Sequence, residues 1–180
     1  MILSKNEFRV RDIIPMTLRL AQFKETALTA CRHLYQDDLT TLAIFGSWAR
    51  DAASPCSDID ILVIADHLPN GRMKRVAQFQ TVENATFAAR RLIWRNMPDT
   101  RAPELSPIIK TPREVEASSP LFLDMTDWID LVFDRNIFFA GYLERLRRRL
   151  NELGARRRWT AGGYYWEYKP DIQPSEVLTL

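Results

Sequence analysis

The sequence contains few of the residues that build disulfide-linked or zinc-centred proteins. Its 180 residues include two cysteines, Cys31 and Cys56, and two histidines, so neither a disulfide framework nor a zinc site is expected to hold the fold together. No apolar run approaches the roughly 18 residues of a transmembrane helix, which excludes a membrane span. The opening stretch MILSKNEFRVRDIIP places charges where a signal peptide needs its apolar segment. These absences predict a cytoplasmic protein with no membrane partner.

A strong net charge is also absent. The chain carries 25 Lys and Arg residues against 23 Asp and Glu residues, a formal net charge of +2, which is too small to indicate general binding to nucleic acid. Any site for an anion must therefore be local. The length suits one domain. We expect a single domain over residues 1–180, with a core at about 15–135 and a C-terminal helix and strand at 137–180.

The C-terminal region concentrates arginine and aromatic residues. Seven arginines and one acidic residue, Glu152, lie between positions 145 and 158. This pattern is typical of the solvated face of a helix, and a surface for RNA or an acidic partner is the alternative. Tyr164, Trp166 and Tyr168 alternate as in a strand and are interpreted as covering the sheet, with base stacking as the alternative.

Helical and strand patterns are mixed along the chain without strict βαβ repeats, which predicts an α+β protein with a mixed sheet flanked by helices. The spacing of apolar residues predicts helices at 15–35, 72–94 and 137–153, with a short helix after Pro120. Apolar and β-branched runs predict strands at 40–45, 58–65, 105–110 and near 129–133. Pro107 indicates that the third strand lies at a sheet edge or contains a bulge.

The segment IFGSWARDAASPCSDIDILV, at positions 44–63, carries the residues best suited to chemistry. Asp58 and Asp60 begin a strand and project from the same side of it, because strand side chains alternate. Two carboxylates this close repel each other, and a divalent cation such as Mg²⁺ between them removes the repulsion. Gly46 lets the backbone approach a ligand, and Ser47 offers a hydroxyl and an N–H to a phosphate oxygen. The pattern predicts phosphoryl or nucleotidyl transfer.

The same segment resembles the signature of the DNA polymerase beta-like nucleotidyltransferase superfamily. That signature is a hydrophobic residue, Gly and Gly or Ser, then a gap, then Asp, a hydrophobic residue, Asp or Glu and a second hydrophobic residue. Here the two halves are Phe45-Gly46-Ser47 and Asp58-Ile59-Asp60-Ile61. The extended form is similar to small stand-alone nucleotidyltransferase-domain proteins. These include antitoxins paired with HEPN-type ribonucleases, some of which transfer AMP to their partner.

The resemblance implies a nucleotidyltransferase fold, Mg²⁺ or Mn²⁺ bound by Asp58 and Asp60, and a nucleoside triphosphate held at Gly46 and Ser47. Arg50 is a further candidate for binding the triphosphate, with an ordinary surface arginine as the alternative. The family also has a third carboxylate on the strand that follows the long helix. Glu104 is the candidate here, acting as catalytic base.

Two positions depart from the family pattern or leave it open. A register that places Ser106 rather than Glu104 beside the aspartates would leave the site without its third acid. Asp51 stands where relatives commonly have glycine, which adds a carboxylate to the loop near the metal site.

The sequence supports two hypotheses about function. The first is a metal-dependent nucleotidyltransferase that moves a nucleoside monophosphate from a triphosphate to an acceptor hydroxyl and releases pyrophosphate. The alternative is a nucleotidyltransferase-fold antitoxin or binding module that neutralises a partner protein, such as a HEPN-type ribonuclease, with or without AMP transfer. The sequence does not identify the acceptor, for which a partner protein and an RNA both stay open.

Overall fold

The computed structural model describes residues 15–54, 56–94, 101–117 and 119–170. Its central sheet has four strands in the order β3-β2-β1-β4, with β1 antiparallel to both of its neighbours and β2 parallel to β3. This mixed sheet between helices confirms the predicted α+β class. The strands are β1 (Leu39–Phe45), β2 (Ile59–Ala65), β3 (Leu105–Lys110) and β4 (Asp130–Asp134), and the helices are α1 (Met16–Tyr35), α2 (Arg72–Ile93), α3 (Pro112–Glu116) and α4 (Phe138–Leu153).

The two faces of the sheet are buried by different helices. On β2, Ile59, Ile61 and Val63 join a core that also contains buried residues of α1 and α2. The alternating residues Leu62 and Ile64 join a second core, built with α4 and the short 3-10 turns that follow α3. Side chains of a strand alternate between faces. Asp60 therefore belongs to the face of the sheet that α4 covers.

Strand β3 forms one edge of the sheet, as Pro107 predicted. The N–H of Ile59 donates to the carbonyl of Glu104 at 2.8 Å, and in a parallel pair this turns the polar groups of even-numbered β3 residues toward β2. Pro107 therefore lies where its missing N–H faces away from the sheet. Two residues further on, the carbonyl of Ile109 accepts a hydrogen bond from the Arg75 guanidinium at 3.1 Å. At each of these two positions, a backbone group that would pair with a further strand is either missing or already bonded.

Helix α4 ends at Gly154, as predicted, with the left-handed φ of +69° that favours glycine. The chain then turns back and forms a two-stranded antiparallel hairpin from β5 (Arg156–Thr160) and β6 (Gly163–Glu167). Arg156 to Arg158 therefore lie on a strand and not on the solvated helix face that the arginine pattern indicated. Once glycine has stopped the helix, the alternating sequence RRRWT pairs with GYYWE as a strand.

Two short elements also differ from expectation. Helix α3 was not predicted, although TPRE is a capping box in which the side chains of Thr111 and Glu114 each bond the backbone of the other residue. The helix predicted after Pro120 is a pair of 3-10 turns, Pro120–Phe122 and Asp124–Thr126. Within the described ranges, no helix is both long and apolar enough to cross a membrane.

Candidate active site

The loop that joins β1 to β2 brings the two halves of the motif together. Asp60 lies opposite Phe45 of β1 and Ser106 of β3, so the second aspartate sits directly after the point where Gly46 and Ser47 leave β1. Asp58 is exposed and Asp60 is half-buried. The predicted phosphate-binding residues and the predicted metal-binding residues therefore share one end of the sheet.

Gly46 makes room for the carboxylate of Asp60. Its φ is +69°, and a Cβ atom added to it would lie 2.1 Å from Oδ2 of Asp60. A contact this short is impossible for any side chain, so only glycine lets the carboxylate rest against the loop backbone. The sequence predicted that Gly46 allows the close approach of a ligand. The structure shows that it first allows the close approach of Asp60.

Burial raises the pKa of the Asp60 carboxyl, and the neighbouring Asp58 carboxylate raises it further. A hydrogen bond from the Ser106 hydroxyl and the positive charge of Arg50 act in the opposite direction, but the pKa stays above its ordinary value. The fold therefore holds the carboxylates of Asp58 and Asp60 close together although their negative charges repel each other. A cation between the two carboxylates would relieve that repulsion.

This donor set fits Mg²⁺ or Mn²⁺ bound together with a substrate. In the part of the chain that the structure describes, no three acidic, histidine or cysteine side chains converge on a metal position. At such a site the protein would supply the two carboxylates, and phosphate oxygens and water would supply the other ligands. Mg²⁺ is commonly bound in this way, through one or two carboxylates plus substrate phosphates.

Glu104 does not join the two aspartates. Its side chain lines a cleft against α2 beside the buried Arg90. Burial lowers the pKa of Arg90, and the negative charges of Glu83 and Glu104 only partly offset this. The β3 residue beside Asp60 is Ser106, which is the register that leaves the third acid out. The catalytic role of Glu104 stays a prediction, and this placement argues against it.

Trp48 is a site residue that the sequence analysis missed. Its side chain is only 6% exposed, its indole N–H donates to the carbonyl of Asp58 at 2.9 Å, and its ring packs on Trp94 with centroids 5.6 Å apart. It therefore anchors the start of β2 from inside the loop. Asp51 in the same loop has a φ of +54°, a left-handed conformation that glycine adopts most readily.

Arg50 lies between the aspartates and the C-terminal hairpin. Its guanidinium lies 5.9 Å from the ring centre of Trp128. Burial raises the pKa of both Asp60 and Tyr164, and the positive charge of Arg50 offsets part of each rise. A cation here is well placed to meet a bound triphosphate. The hairpin residue Tyr164 is thus a neighbour of the site.

Arg157 corrects the view of the arginine-rich region as a solvated face. Its guanidinium lies within 4.1 to 5.5 Å of the ring centres of Trp128, Tyr164 and Trp166 and 2.7 Å from Asp127. We call the four residues around Arg157, namely Trp128, Tyr164, Trp166 and Asp127, the arginine cage. Other arginines of the region are ion-paired at the surface, including Arg145 with Glu116, and Arg156 and Arg158 with Glu167.

The comparisons with known proteins agree with this geometry. A family model described as a nucleotidyltransferase domain matches residues 24–111. A protein of Methanocaldococcus jannaschii with the provisional name protein adenylyltransferase is 33% identical over 122 residues, which cover 67% of this chain and 76% of that protein. The chain belongs to the nucleotidyltransferase domain family.

Solved structures with a similar fold include two toxin–antitoxin complexes. One, determined with AMP-PNP, has a chain that is 16% identical with a TM-score of 0.47, and the match covers 73% of this nucleotidyltransferase and 92% of that chain. The other, MntA–HepT, gives 14% identity, a TM-score of 0.44 and coverages of 74% and 92%. Of the features described above, the loop between β1 and β2 lies inside the span matched by the family model, as do β2 and β3, whereas Trp128 and the hairpin lie outside it.

Proposed function

We propose that this nucleotidyltransferase transfers AMP from ATP to a hydroxyl group of a protein, with a divalent metal ion. The observation that carries the proposal is the pair Asp58 and Asp60, of which the second is seated against Gly46 and hydrogen-bonded by Ser106. Support for ATP and for a protein acceptor comes from the name of the relative in Methanocaldococcus jannaschii.

Each residue of the site has a task in this reaction. The hydroxyl and N–H of Ser47 bind the β- and γ-phosphates, and Arg50 offsets their charge from the side of the hairpin. Asp58 and Asp60 would hold Mg²⁺ or Mn²⁺, which when bound would neutralise charge that develops around the α-phosphorus. The acceptor oxygen bonds to the α-phosphorus, the bond from that phosphorus to the bridging oxygen breaks, and pyrophosphate leaves.

The acceptor proton needs a base, and Glu104 is the candidate from the sequence. Its backbone lies beside the start of β2, but its side chain would have to leave the cleft beside Arg90 to reach the site. If it takes the proton, Glu104→Gln lowers the transfer rate by about 10²- to 10⁴-fold and leaves nucleotide binding intact. An unchanged rate in this variant would remove Glu104 from the mechanism.

The experiment that tests the proposal is incubation of the protein with Mg²⁺ and cell lysate, using ATP labelled at the α-phosphate. We expect the parent to add an α-labelled protein band to those of the lysate alone. Asp58→Asn and Asp60→Asn should not add this band, and ATP labelled at the γ-phosphate should give no band that depends on the parent. Label on an RNA instead would replace the protein acceptor. The absence of label from all four α-labelled nucleoside triphosphates would refute transfer.

A second function is favoured by one observation, the presence of Ser106 where a third acid would stand. A nucleotidyltransferase fold without its third acid would suit a module that neutralises a partner, such as a HEPN-type ribonuclease, by binding alone. The two functions differ in their dependence on Asp60. If Asp60→Asn still neutralises the ribonuclease and the parent leaves no AMP on it, binding is the function.

A further inference from the structure

The hairpin is fixed to the rest of the protein at its inner end. The Tyr164 hydroxyl and the Trp166 indole N–H donate to the Asp124 carboxylate at 2.6 and 2.8 Å. Arg157, with a side chain only 15% exposed, fills the arginine cage and pairs with Asp127. Trp166 also packs on the core under α4. These contacts hold the hairpin in one orientation relative to the site.

The register of the hairpin gives its two faces different characters. Arg157 lies opposite Trp166, and Trp159 lies opposite Tyr164, so these four side chains share one face, because paired residues of antiparallel strands project together. The inner half of this face is occupied by the cage. At the outer half, Trp159 is 72% exposed and its ring centre lies 5.0 Å from that of Tyr164.

This outer half is continuous with the nucleotide site. The Arg50 guanidinium lies 5.9 Å from the ring centre of Trp128. The Arg157 guanidinium of the hairpin lies 4.1 Å from that same ring centre and 5.5 Å from that of Tyr164, so the aromatic pair borders the proposed triphosphate site. The loop between β1 and β2 cannot supply a stacking surface of its own. Its one aromatic ring, Trp48, is buried and engaged with Asp58 and Trp94.

When a nucleoside triphosphate binds with its phosphates at Ser47 and Arg50, its base still needs a surface to bind. Every base has a flat face that stacks on an aromatic ring, and an indole offers the largest such surface. We propose that Trp159, backed by Tyr164, is the platform on which the base of the bound nucleotide stacks. This inference rests on the proposed function and adds to it the residue that contacts the base.

Equilibrium binding of two probes tests the inference without requiring transfer. The probes are ATP and inorganic tripolyphosphate, each with Mg²⁺, and the variants are Trp159→Ala, Trp159→Phe and Tyr165→Ala. Tyr165 is the matched control, because it is 57% exposed on the opposite face of the same hairpin. Unchanged melting temperatures would show that all three variants keep the fold.

We expect Trp159→Ala to weaken ATP binding by about 5- to 150-fold, the range measured for loss of one stacked base. Binding of tripolyphosphate should not change, Trp159→Phe should restore most of the ATP affinity, and Tyr165→Ala should bind both probes like the parent. Equal ATP binding by Trp159→Ala and the parent would overturn the platform alone. An equal loss for both probes would also overturn it, since Trp159 would then support the phosphate site. A parent that binds neither probe would refute the proposed nucleotide site itself.

Discussion

Gly46→Ala separates the two properties of this glycine, its backbone conformation and the space it leaves for Asp60. Alanine at φ +69° costs about 1–2 kcal/mol of stability. For a chain of this size, that lowers the melting temperature by about 2–8 °C. The added Cβ would also lie 2.1 Å from Oδ2 of Asp60, about 1 Å closer than real Cβ atoms come, so the carboxylate has to move.

A displacement of this size at a reacting centre costs on the order of 10²-fold in rate. We therefore expect Gly46→Ala to fold, to melt slightly below the parent, to lose about two orders of magnitude in AMP transfer, and to lose the rise in melting temperature that Mg²⁺ and ATP give the parent. The assays are transfer of α-labelled ATP and thermal denaturation with and without the ligands.

Gly154→Ala is the matched control. Gly154 has the same φ of +69°, but the nearest atom to an added Cβ is Cδ of Pro170 at 3.9 Å. This variant should pay the same backbone cost and keep full transfer and full ligand stabilisation. If Gly46→Ala transfers AMP as fast as Gly154→Ala, the seating of Asp60 against Gly46 is not needed for catalysis, and the reasoning from the close contact is wrong.

Three further predictions follow from other contacts. Asp60→Asn should be at least as stable as the parent at neutral pH without metal, because a raised pKa means that the ionised carboxylate destabilises the fold. A melting temperature below that of the parent would contradict this expectation. Melting scans of the variant should also show no stabilisation by Mg²⁺. A hydrogen bond from Arg75 lowers the pKa of Glu114 from 4.5 to about 2, so the stability that this pair supplies should be lost as the pH falls from about 5 toward 2. Chemical denaturation should show that the parent is more stable than Glu114→Gln at pH 5 and that the difference shrinks toward pH 2. A constant difference would contradict this. Arg157→Ser should lower the melting temperature, because it empties the arginine cage and leaves Asp127 without the cation of Arg157. Arg148→Ser, at an exposed position, should leave the melting temperature unchanged. Equal effects of the two substitutions would rule out a structural role for the cage.

The features that the sequence predicted well are local ones. The loop between β1 and β2 contains Gly46, Ser47 and Asp58, and Asp60 lies on β2. The spacing of these residues along the chain therefore already limits their separation in space. The apolar periodicity of α1, α2 and α4 likewise depends only on neighbours within each helix.

The features it predicted poorly depend on contacts between distant segments. Whether Glu104 or Ser106 meets Asp60 is decided by the register of β3 on β2, and a shift of two residues exchanges one for the other. Arg157 was expected at the surface because its neighbours are arginines, but its environment is set by Trp128 and Trp166. A polar loop also gave no reason to expect that Trp48 is buried.

The closed edge at β3 limits how this protein can meet another chain. A neighbouring strand adds to a sheet by pairing with its free N–H and carbonyl groups, but Pro107 has no N–H to give and the carbonyl of Ile109 is already bonded to Arg75. Strand-to-strand polymerisation along this border is therefore blocked at two successive outward positions. A chain that docks at this border would therefore be recognised through side chains, and it could leave without breaking a shared sheet.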